Sequence, residues 1–133
     1  MLILTPPSEG KSIQNTVRKK FSETNFVLEK QVKEILKILI HLDENKIVST
    51  YGTNLEKAKD LHKNNLKVFD NECSMAIERY TGVVFSNLDW KSLDNNAKAY
   101  LNKNLRIFSG MFGILKPNDL IPNYKLKMNV LAL

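Results

Sequence analysis

Residues 106–128, which read RIFSGMFGILKPNDLIPNYKLKM, decide how this chain folds. The apolar run that contains Ile107 and Phe108 predicts a strand, which enters a Ser109-Gly110 pair with Gly113 soon after. Glycines at this spacing let the backbone pass close to another segment. Lys-Pro followed by Asn-Asp, at residues 116–119, predicts a turn. The stretch therefore predicts a strand, a close backbone approach and a turn that displays the residues after it.

Basic and aromatic side chains stand at the ends of these predicted turns. Arg106, Lys116, Lys125 and Lys127, together with Tyr124, predict a basic cleft in which the tyrosine ring stacks on an exposed base. Polar groups at turn ends, rather than on a regular exposed face, favour this functional interpretation. The alternative is that the glycines serve packing, Tyr124 is a core residue and the lysines are only solvated.

The chain opens with MLILTPPSEGKS, in which the apolar residues 2–4 predict a short buried strand that two prolines stop. The final Gly-Lys-Ser imitates the end of a nucleotide-binding P-loop. Thr5, however, stands where the first glycine is required, and the prolines have no N–H to hold a phosphate. A turn that displays Ser8 and Lys11 beside a helix start is instead a candidate anion contact. A rigid turn with a solvated lysine is the alternative.

Residues 47–61, IVSTYGTNLEKAKDL, match a degenerate helix-hairpin-helix in which Asn54 replaces the second glycine after Gly52. Such a hairpin needs positive φ angles, which Gly and Asn tolerate. Its backbone N–H groups then contact a DNA phosphate without reading the base sequence. Lys57 adds positive charge beside the turn. An ordinary corner between two helices, closed by a Gly/Asn cap, is the alternative.

Hydrophobic periodicity elsewhere predicts helices over residues 28–42, 44–50, 55–64 and 72–79, and one more that Ser92 caps. Short apolar runs predict strands at residues 83–85, 105–108 and 125–133. This order predicts an α/β or α+β fold with a mixed sheet and flanking helices. No linker divides the sequence, so residues 1–133 are expected to form a single domain.

Composition narrows the classes of function. The 133 residues carry a net charge of +6, which favours anionic partners such as nucleic acid. No apolar run approaches the ~20 residues that span a bilayer, so we expect a cytoplasmic protein without membrane contact. The single cysteine, Cys73, is expected to be a small buried residue rather than a peroxide sensor. No metal-ligand spacing or carboxylate pair occurs, so we expect no metal, no cofactor and no catalytic residue.

Three segments, in chain order, carry a resemblance to a known family. They are residues 1–11 (MLILTPPSEGK), 76–85 (AIERYTGVVF) and 109–128 (SGMFGILKPNDLIPNYKLKM). They resemble the opening strand and turn, the A-[IL]-x-x-[FY]-x-G-x-V-Y pattern and the S-G-x-[FY]-G signature of the YaaA family, the bacterial peroxide stress proteins. Val83, Phe85 and Asn87 depart from residues common in that family. The resemblance is to the N-terminal half of these longer proteins.

The resemblance implies a YaaA-like fold in truncated form, and survival of peroxide by binding DNA and limiting iron-dependent damage. Binding through the DNA backbone would have low sequence specificity. The candidate DNA or anion contacts are Ser8, Lys11, Gly52, Asn54, Lys57, Arg106, Lys116, Tyr124 and Lys125. One alternative is an enzyme that acts on a phosphorylated or nucleoside-like small molecule, and another is an inactive truncated form. A half-length chain would leave a sheet edge uncovered, so self-association through that edge is expected.

Overall fold

The computed structural model describes residues 1–13 and 16–128, which contain six strands and six α-helices. The strands are β1 (Ile3–Thr5), β2 (Val17–Lys20), β3 (Glu72–Met75), β4 (Leu105–Ser109), β5 (Gly113–Leu115) and β6 (Leu120–Ile121). The helices are α1 (Glu29–Ile40), α2 (Glu44–Tyr51), α3 (Leu55–Leu66), α4 (Ala76–Arg79), α5 (Val83–Leu88) and α6 (Asn95–Asn104). Short 3₁₀ turns cover Phe21–Glu23, Val68–Asp70 and Trp90–Ser92. No helix in this described part is long and apolar enough to cross a membrane.

The first sheet has the strand order β1-β4-β5 and is mixed. β1 pairs with β4 in parallel, with Ile3 opposite Leu105, and β4 pairs with β5 antiparallel. Side chains alternate along β4, so Leu105, Ile107 and Ser109 are buried. This sheet confirms the strand predicted at residues 105–108. β1 has one neighbour in the described part of the chain and is therefore an edge strand.

The second sheet has the order β2-β3-β6, with both pairings antiparallel. The two sheets together make the fold α+β, which confirms that expectation but divides the predicted mixed sheet in two. The helix predicted over residues 72–79 is wrong for its first half, because residues 72–75 form β3. Pairing on both sides satisfies the backbone N–H and C=O groups of this strand. Cys73 and Ser74, each 0% exposed, are buried on it.

A cluster of aromatic rings joins the helices to both sheets. Phe21 lies 5.0 Å from Phe112 between ring centroids, and Phe112 lies 5.0 Å from Tyr124 in an edge-to-face arrangement. α1 adds Val32 and Leu39, which are fully buried beside this cluster.

The helices predicted over residues 28–42, 44–50 and 55–64 are confirmed as α1, α2 and α3.

Two other predictions about local structure are wrong. Residues 83–85 were expected to form a strand, but they begin α5, in which Phe85 stacks on Tyr80 at 5.4 Å while both valines are exposed. Burial of that one ring outweighs the weak strand preference of a three-residue run. Ser92 was expected to cap a helix, but Asp94 caps α6 by accepting a hydrogen bond from the Ala97 N–H. A carboxylate is a strong N-cap acceptor, so the helix begins later.

Gly110 confirms the close backbone approach that the glycine spacing predicts. A Cβ atom at this position would lie 2.5 Å from the Leu126 carbonyl oxygen and 3.0 Å from the Lys127 carbonyl carbon. Residues 122–128 therefore run directly across the end of β4. No strand is assigned over residues 125–128, so the strand predicted at 125–133 is wrong there; residues 129–133 lie outside the described residues.

We expect Gly110→Ala to destabilise the fold by ~3 kcal/mol, because its methyl group meets backbone atoms that cannot move away without displacing residues 126–127. Gly52→Ala is the control: it has open space and a φ of +62°, so it is expected to cost only ~1 kcal/mol. Urea unfolding midpoints measure both. Equal losses for the two variants would contradict the close approach at Gly110.

Candidate functional site

The loop after β1 is held against the end of α4 by backbone hydrogen bonds. Lys11 forms an isolated antiparallel bridge with Tyr80, and the Ser12 N–H donates to the Arg79 carbonyl at 2.7 Å. Ser8 Oγ donates to the Gly10 carbonyl at 2.6 Å, which folds the loop back on itself. The loop that carries Ser8 and Lys11 is therefore fixed in place rather than free in solvent.

A chain of buried hydroxyl groups lies beneath this loop. Ser109 Oγ accepts hydrogen bonds from the N–H groups of Met111 and Phe112 and donates to Tyr124 Oη at 2.8 Å. The hydroxyls of Tyr124 and Tyr80 are 2.6 Å apart. Burial raises the pKa of Tyr124, and raises that of Tyr80 well above its ordinary value. Both phenols therefore stay protonated and keep their hydrogen bonds.

The Lys11 ammonium group lies on the faces of these two tyrosines. Its Nζ is 4.5 Å from the Tyr124 ring centroid and 5.7 Å from that of Tyr80, which is cation–π geometry. Burial, and then the positive charge of Lys125, lower the pKa of Lys11 to about 8; repulsion from Arg79 contributes too, while Glu9 partly opposes the shift. Lys11 is therefore a lysine that loses its proton near physiological pH.

Two further lysines complete a basic cavity of about 220 Å³. Its lining includes Lys11, Lys125 and Lys127, with Ser8 and Glu9. The Glu9 carboxylate lies 3.2 Å from Lys127 Nζ, and contact with Lys127, followed by the charge of Lys125, lowers the pKa of Glu9. Three cationic side chains thus share one carboxylate, which leaves excess positive charge at this cavity. We call it the lysine cavity.

Asn65 fixes the position of Lys125. Its side chain accepts a hydrogen bond from the Lys125 N–H at 3.0 Å and donates to the Lys125 carbonyl at 2.8 Å. The same amide nitrogen donates to Tyr51 Oη, whose oxygen also lies 2.9 Å from His62 Nδ1. Because Asn65 is 0% exposed, these bonds form away from water and tie α3 to the lysine-bearing segment.

Comparison with known proteins identifies the family. The model of the family described as "Peroxide stress protein YaaA" matches residues 1–132. The chain belongs to this family. It is 34% identical to an uncharacterised protein of Campylobacter jejuni over 134 residues, which cover 96% of this chain and 53% of the relative. It is 33% identical to a UPF0246 protein of Streptomyces coelicolor over 135 residues, 98% of this chain and 52% of the relative. This chain spans about half the length of these curated relatives.

Two of the three segments that resemble YaaA proteins line the lysine cavity, and the third lies beneath it. Residues 1–11 supply Ser8 and Lys11 and residues 109–128 supply Tyr124 and Lys125, while Tyr80 of residues 76–85 lies under the Lys11 ammonium group. Four of the candidate contacts named from the sequence therefore come together in space: Ser8, Lys11, Tyr124 and Lys125.

The other basic candidates do not join this group. Arg106 and Lys116 line a separate cavity of about 600 Å³, which shares no lining residue with the lysine cavity. One guanidinium nitrogen of Arg106 donates to the carbonyls of Asn102 and Leu105. The single basic cleft expected from the sequence is therefore divided in two, because Arg106 lies near the start of β4 whereas Ser109 ends it beside Tyr124.

The predicted hairpin lies between α2 and α3. Gly52 is the C-cap of α2 with a φ of +62°, as predicted. Asn54 has a φ of −62°, so the positive φ expected there is wrong; its side chain instead caps α3 by accepting from the Lys57 N–H at 2.9 Å. An amide at this position satisfies a helix N–H that would otherwise lack a partner, which explains the asparagine.

The expectation that Tyr124 offers an open ring face to a base is also wrong. The side chain is 3% exposed, and Lys11, Phe112 and Tyr80 surround it. Sequence reasoning also missed Tyr80 and Asn65. Tyr80 stands at the aromatic position of the quoted YaaA pattern, which was the available signal, whereas no sequence pattern marked Asn65.

We expect the lowered pKa of Lys11 to appear in the dependence of stability on pH. Between about pH 8 and the ordinary lysine pKa of 10.5, the unfolded chain keeps the proton that the folded chain has released. The contribution of Lys11 to the free energy of unfolding therefore rises with pH in this window. Wild type should gain stability relative to Lys11→Met from pH 7 to pH 10 in urea unfolding. The control is Lys30→Met, at an exposed position on α1. If the free energies of unfolding of wild type and Lys11→Met changed with pH in parallel, the pKa shift of Lys11 would be contradicted.

Proposed function

We propose that this chain serves peroxide stress resistance by binding the DNA backbone through the lysine cavity, and that this binding limits iron-dependent damage. One observation carries the proposal: Lys11, Lys125 and Lys127 converge on one cavity that holds a single carboxylate. A phosphate is the anion that a duplex presents at every nucleotide, and lysines neutralise it without reading the sequence.

The lowered pKa of Lys11 is consistent with a site for an anionic ligand. Without one, burial and the neighbouring cations disfavour its charged form. A phosphate beside Nζ would stabilise the ammonium and raise its pKa again. Phosphate binding would therefore be coupled to the uptake of a proton by Lys11, and affinity for phosphate is expected to weaken as the pH rises above about 8.

The α2–α3 corner supplies a second contact in this proposal. Gly52 is exposed, and Lys57 lies in the first turn of α3. Asn65, near the other end of α3, holds the backbone of Lys125. Eleven residues of helix rise about 16 Å, which corresponds to about five base-pair steps of a duplex. In this proposal, the two contacts on one DNA molecule are separated by about the length of α3.

A physical link to iron follows from the same electrostatics. Cationic iron gathers along the DNA backbone as a counterion, and lysines that neutralise phosphates release such counterions. A protein bound at the backbone would thus keep iron, and the radicals formed from peroxide there, away from the sugars. Cys73 is not needed for this role, since burial raises its thiol pKa to about 11 and keeps it protonated.

We expect fluorescence-anisotropy titrations across a series of salt concentrations to show DNA affinity that falls linearly on logarithmic axes, with a slope of about 0.9 per phosphate contact. The double variant Lys11→Gln/Lys125→Gln should reduce that slope by the equivalent of about two phosphate contacts. The reduction should be the same for random and for defined duplexes. Lys116→Gln tests the separate cavity by itself.

The matched control is Lys30→Gln/Lys103→Gln, which removes the same charge from exposed positions on α1 and α6. An equal change in slope for the control would mean that net charge alone drives binding. Titrations should include a full-length relative, because this chain covers about half of such proteins. No salt-dependent binding by either protein would reject the proposal.

Gly52→Val tests the corner separately. A β-branched residue at a φ of +62° is strained by roughly 1–3 kcal/mol, so the turn should rearrange locally. We expect this variant to weaken DNA binding more than Lys63→Gln, which removes a charge from the exposed side of α3. Circular dichroism should show that both variants remain folded. Unchanged affinity for a folded Gly52→Val would exclude the corner from the interface.

An enzyme acting on a phosphorylated small molecule is the second candidate. The observation that favours it is the buried pair of tyrosine hydroxyls beside Lys11, an arrangement that duplex binding alone does not require. Calorimetric titration with a 5′-mononucleotide and with inorganic phosphate distinguishes the two candidates. Tight binding of the mononucleotide by a chain that has no DNA affinity would favour the enzyme.

A further inference from the structure

We propose that Lys11 Nζ forms an imine with an aldehyde that carries a phosphate group, bound in the lysine cavity beside Tyr124 and Lys125. The phosphate part of this proposal rests on the proposed function, whereas the covalent step is new. It makes Lys11 a nucleophile instead of a plain electrostatic contact.

The first support is the placement of the amine. Nζ lies over the rings of Tyr124 and Tyr80 and, among the described residues, donates a hydrogen bond to the Glu9 carbonyl at 3.2 Å. The nearby carboxylate of Glu9 is paired with Lys127 instead. An ammonium on aromatic faces, without a carboxylate of its own, releases its proton more readily than one in an ion pair.

The second support is the set of charged and titratable groups that face Lys11. From its own loop comes Glu9, from the end of α4 come Arg79 and Tyr80, and from residues 122–128 come Tyr124, Lys125 and Lys127. Cations outnumber the one carboxylate, and both phenols remain neutral. With a pKa of about 8, Lys11 holds part of its population as free amine closer to neutral pH than an ordinary lysine does. A desolvated lysine beside another cation is an established way to activate an amine nucleophile.

The third support is room for a ligand of two parts. The lysine cavity of about 220 Å³ adjoins a second of about 280 Å³, and Glu9, Lys11, Tyr124 and Lys125 line both. A phosphate that displaces Glu9 from Lys127 would be held by Lys125 and Lys127. An aldehyde carbon on the same molecule would then reach Lys11.

The chemistry balances without an oxidant or a metal. The lone pair of Nζ attacks the carbonyl carbon, and one of the two protons on the nitrogen passes to the carbonyl oxygen to give a neutral carbinolamine. Loss of the hydroxyl group, together with the proton on nitrogen, releases one water molecule and leaves a C=N bond to Lys11. Two sources fit this ligand class: a deoxyribose in DNA that has lost its base, whose open form is an aldehyde between phosphates, and a free sugar phosphate.

The experiment traps the imine with sodium cyanoborohydride and locates it by peptide mass spectrometry. The probes are a duplex with one abasic site, the intact duplex, glyceraldehyde 3-phosphate and unphosphorylated glyceraldehyde. For a phosphorylated aldehyde, we expect at least tenfold more adduct on Lys11 than on exposed Lys30. Unphosphorylated glyceraldehyde should give at least tenfold less adduct on Lys11 than glyceraldehyde 3-phosphate gives. Trapping should increase from pH 6.5 to pH 8.5. Lys11→Arg, which keeps the charge, should lose the adduct at residue 11.

The probes separate the sources, and the wild-type comparison of Lys11 with Lys30 needs no variant to fold. Adduct with the abasic duplex alone supports a DNA lesion as the ligand, and adduct with glyceraldehyde 3-phosphate alone supports a free sugar phosphate. Equal labelling of Lys11 and Lys30, or equal labelling by the two glyceraldehydes, overturns the proposal. Salt-dependent DNA binding without trapping rejects the imine but leaves the proposed function intact. Trapping of the free sugar phosphate without DNA binding supports the imine but rejects the proposed function.

Discussion

The site depends on how residues 122–128 are held. No strand pairing is assigned to this segment among the described residues, yet it carries Tyr124, Lys125 and Lys127. Two buried sets of hydrogen bonds fix it: Ser109 with the paired tyrosine hydroxyls, and Asn65 with both backbone groups of Lys125. Away from water such bonds are strong when every member is satisfied and costly when one is removed. Gly110 completes the arrangement, because any larger residue would push the segment off β4.

Burial acts on the lysine and on the tyrosines in the same sense, since it favours the uncharged form of each. The tyrosines therefore remain hydrogen-bond donors, while Lys11 is poised between ammonium and amine. An exposed lysine would attract phosphate with a permanent charge. In our proposals, an anion bound beside Lys11 favours its ammonium form, whereas attack on a carbonyl carbon uses its free amine form. The same desolvation thus underlies both the anion site and the nucleophile that we propose.

Membership of the YaaA family explains which parts of the chain matter, since two of the three resembling segments line the lysine cavity and the third supplies Tyr80, over which Lys11 lies. The relatives extend well beyond this region, which corresponds to about half of their length. The loop, the α2–α3 corner and residues 109–128 form one connected unit through Asn65 and Tyr80. Helix α3 therefore joins the corner directly to the segment that carries Lys125.

Features that depend on local pattern could be predicted from the residues alone: α1, α2 and α3 from their periodicity, the strand at Leu105, the left-handed Gly52 and the close approach at Gly110. Three features became visible only in the folded chain: residues 72–75 form a strand, Tyr124 is buried, and Arg106 and Lys116 lie apart from Lys11. Periodicity and glycine geometry are properties of neighbouring residues. The convergence of side chains such as Asn65 and Lys125, sixty positions apart, is set by long-range packing, which leaves no mark on the local sequence.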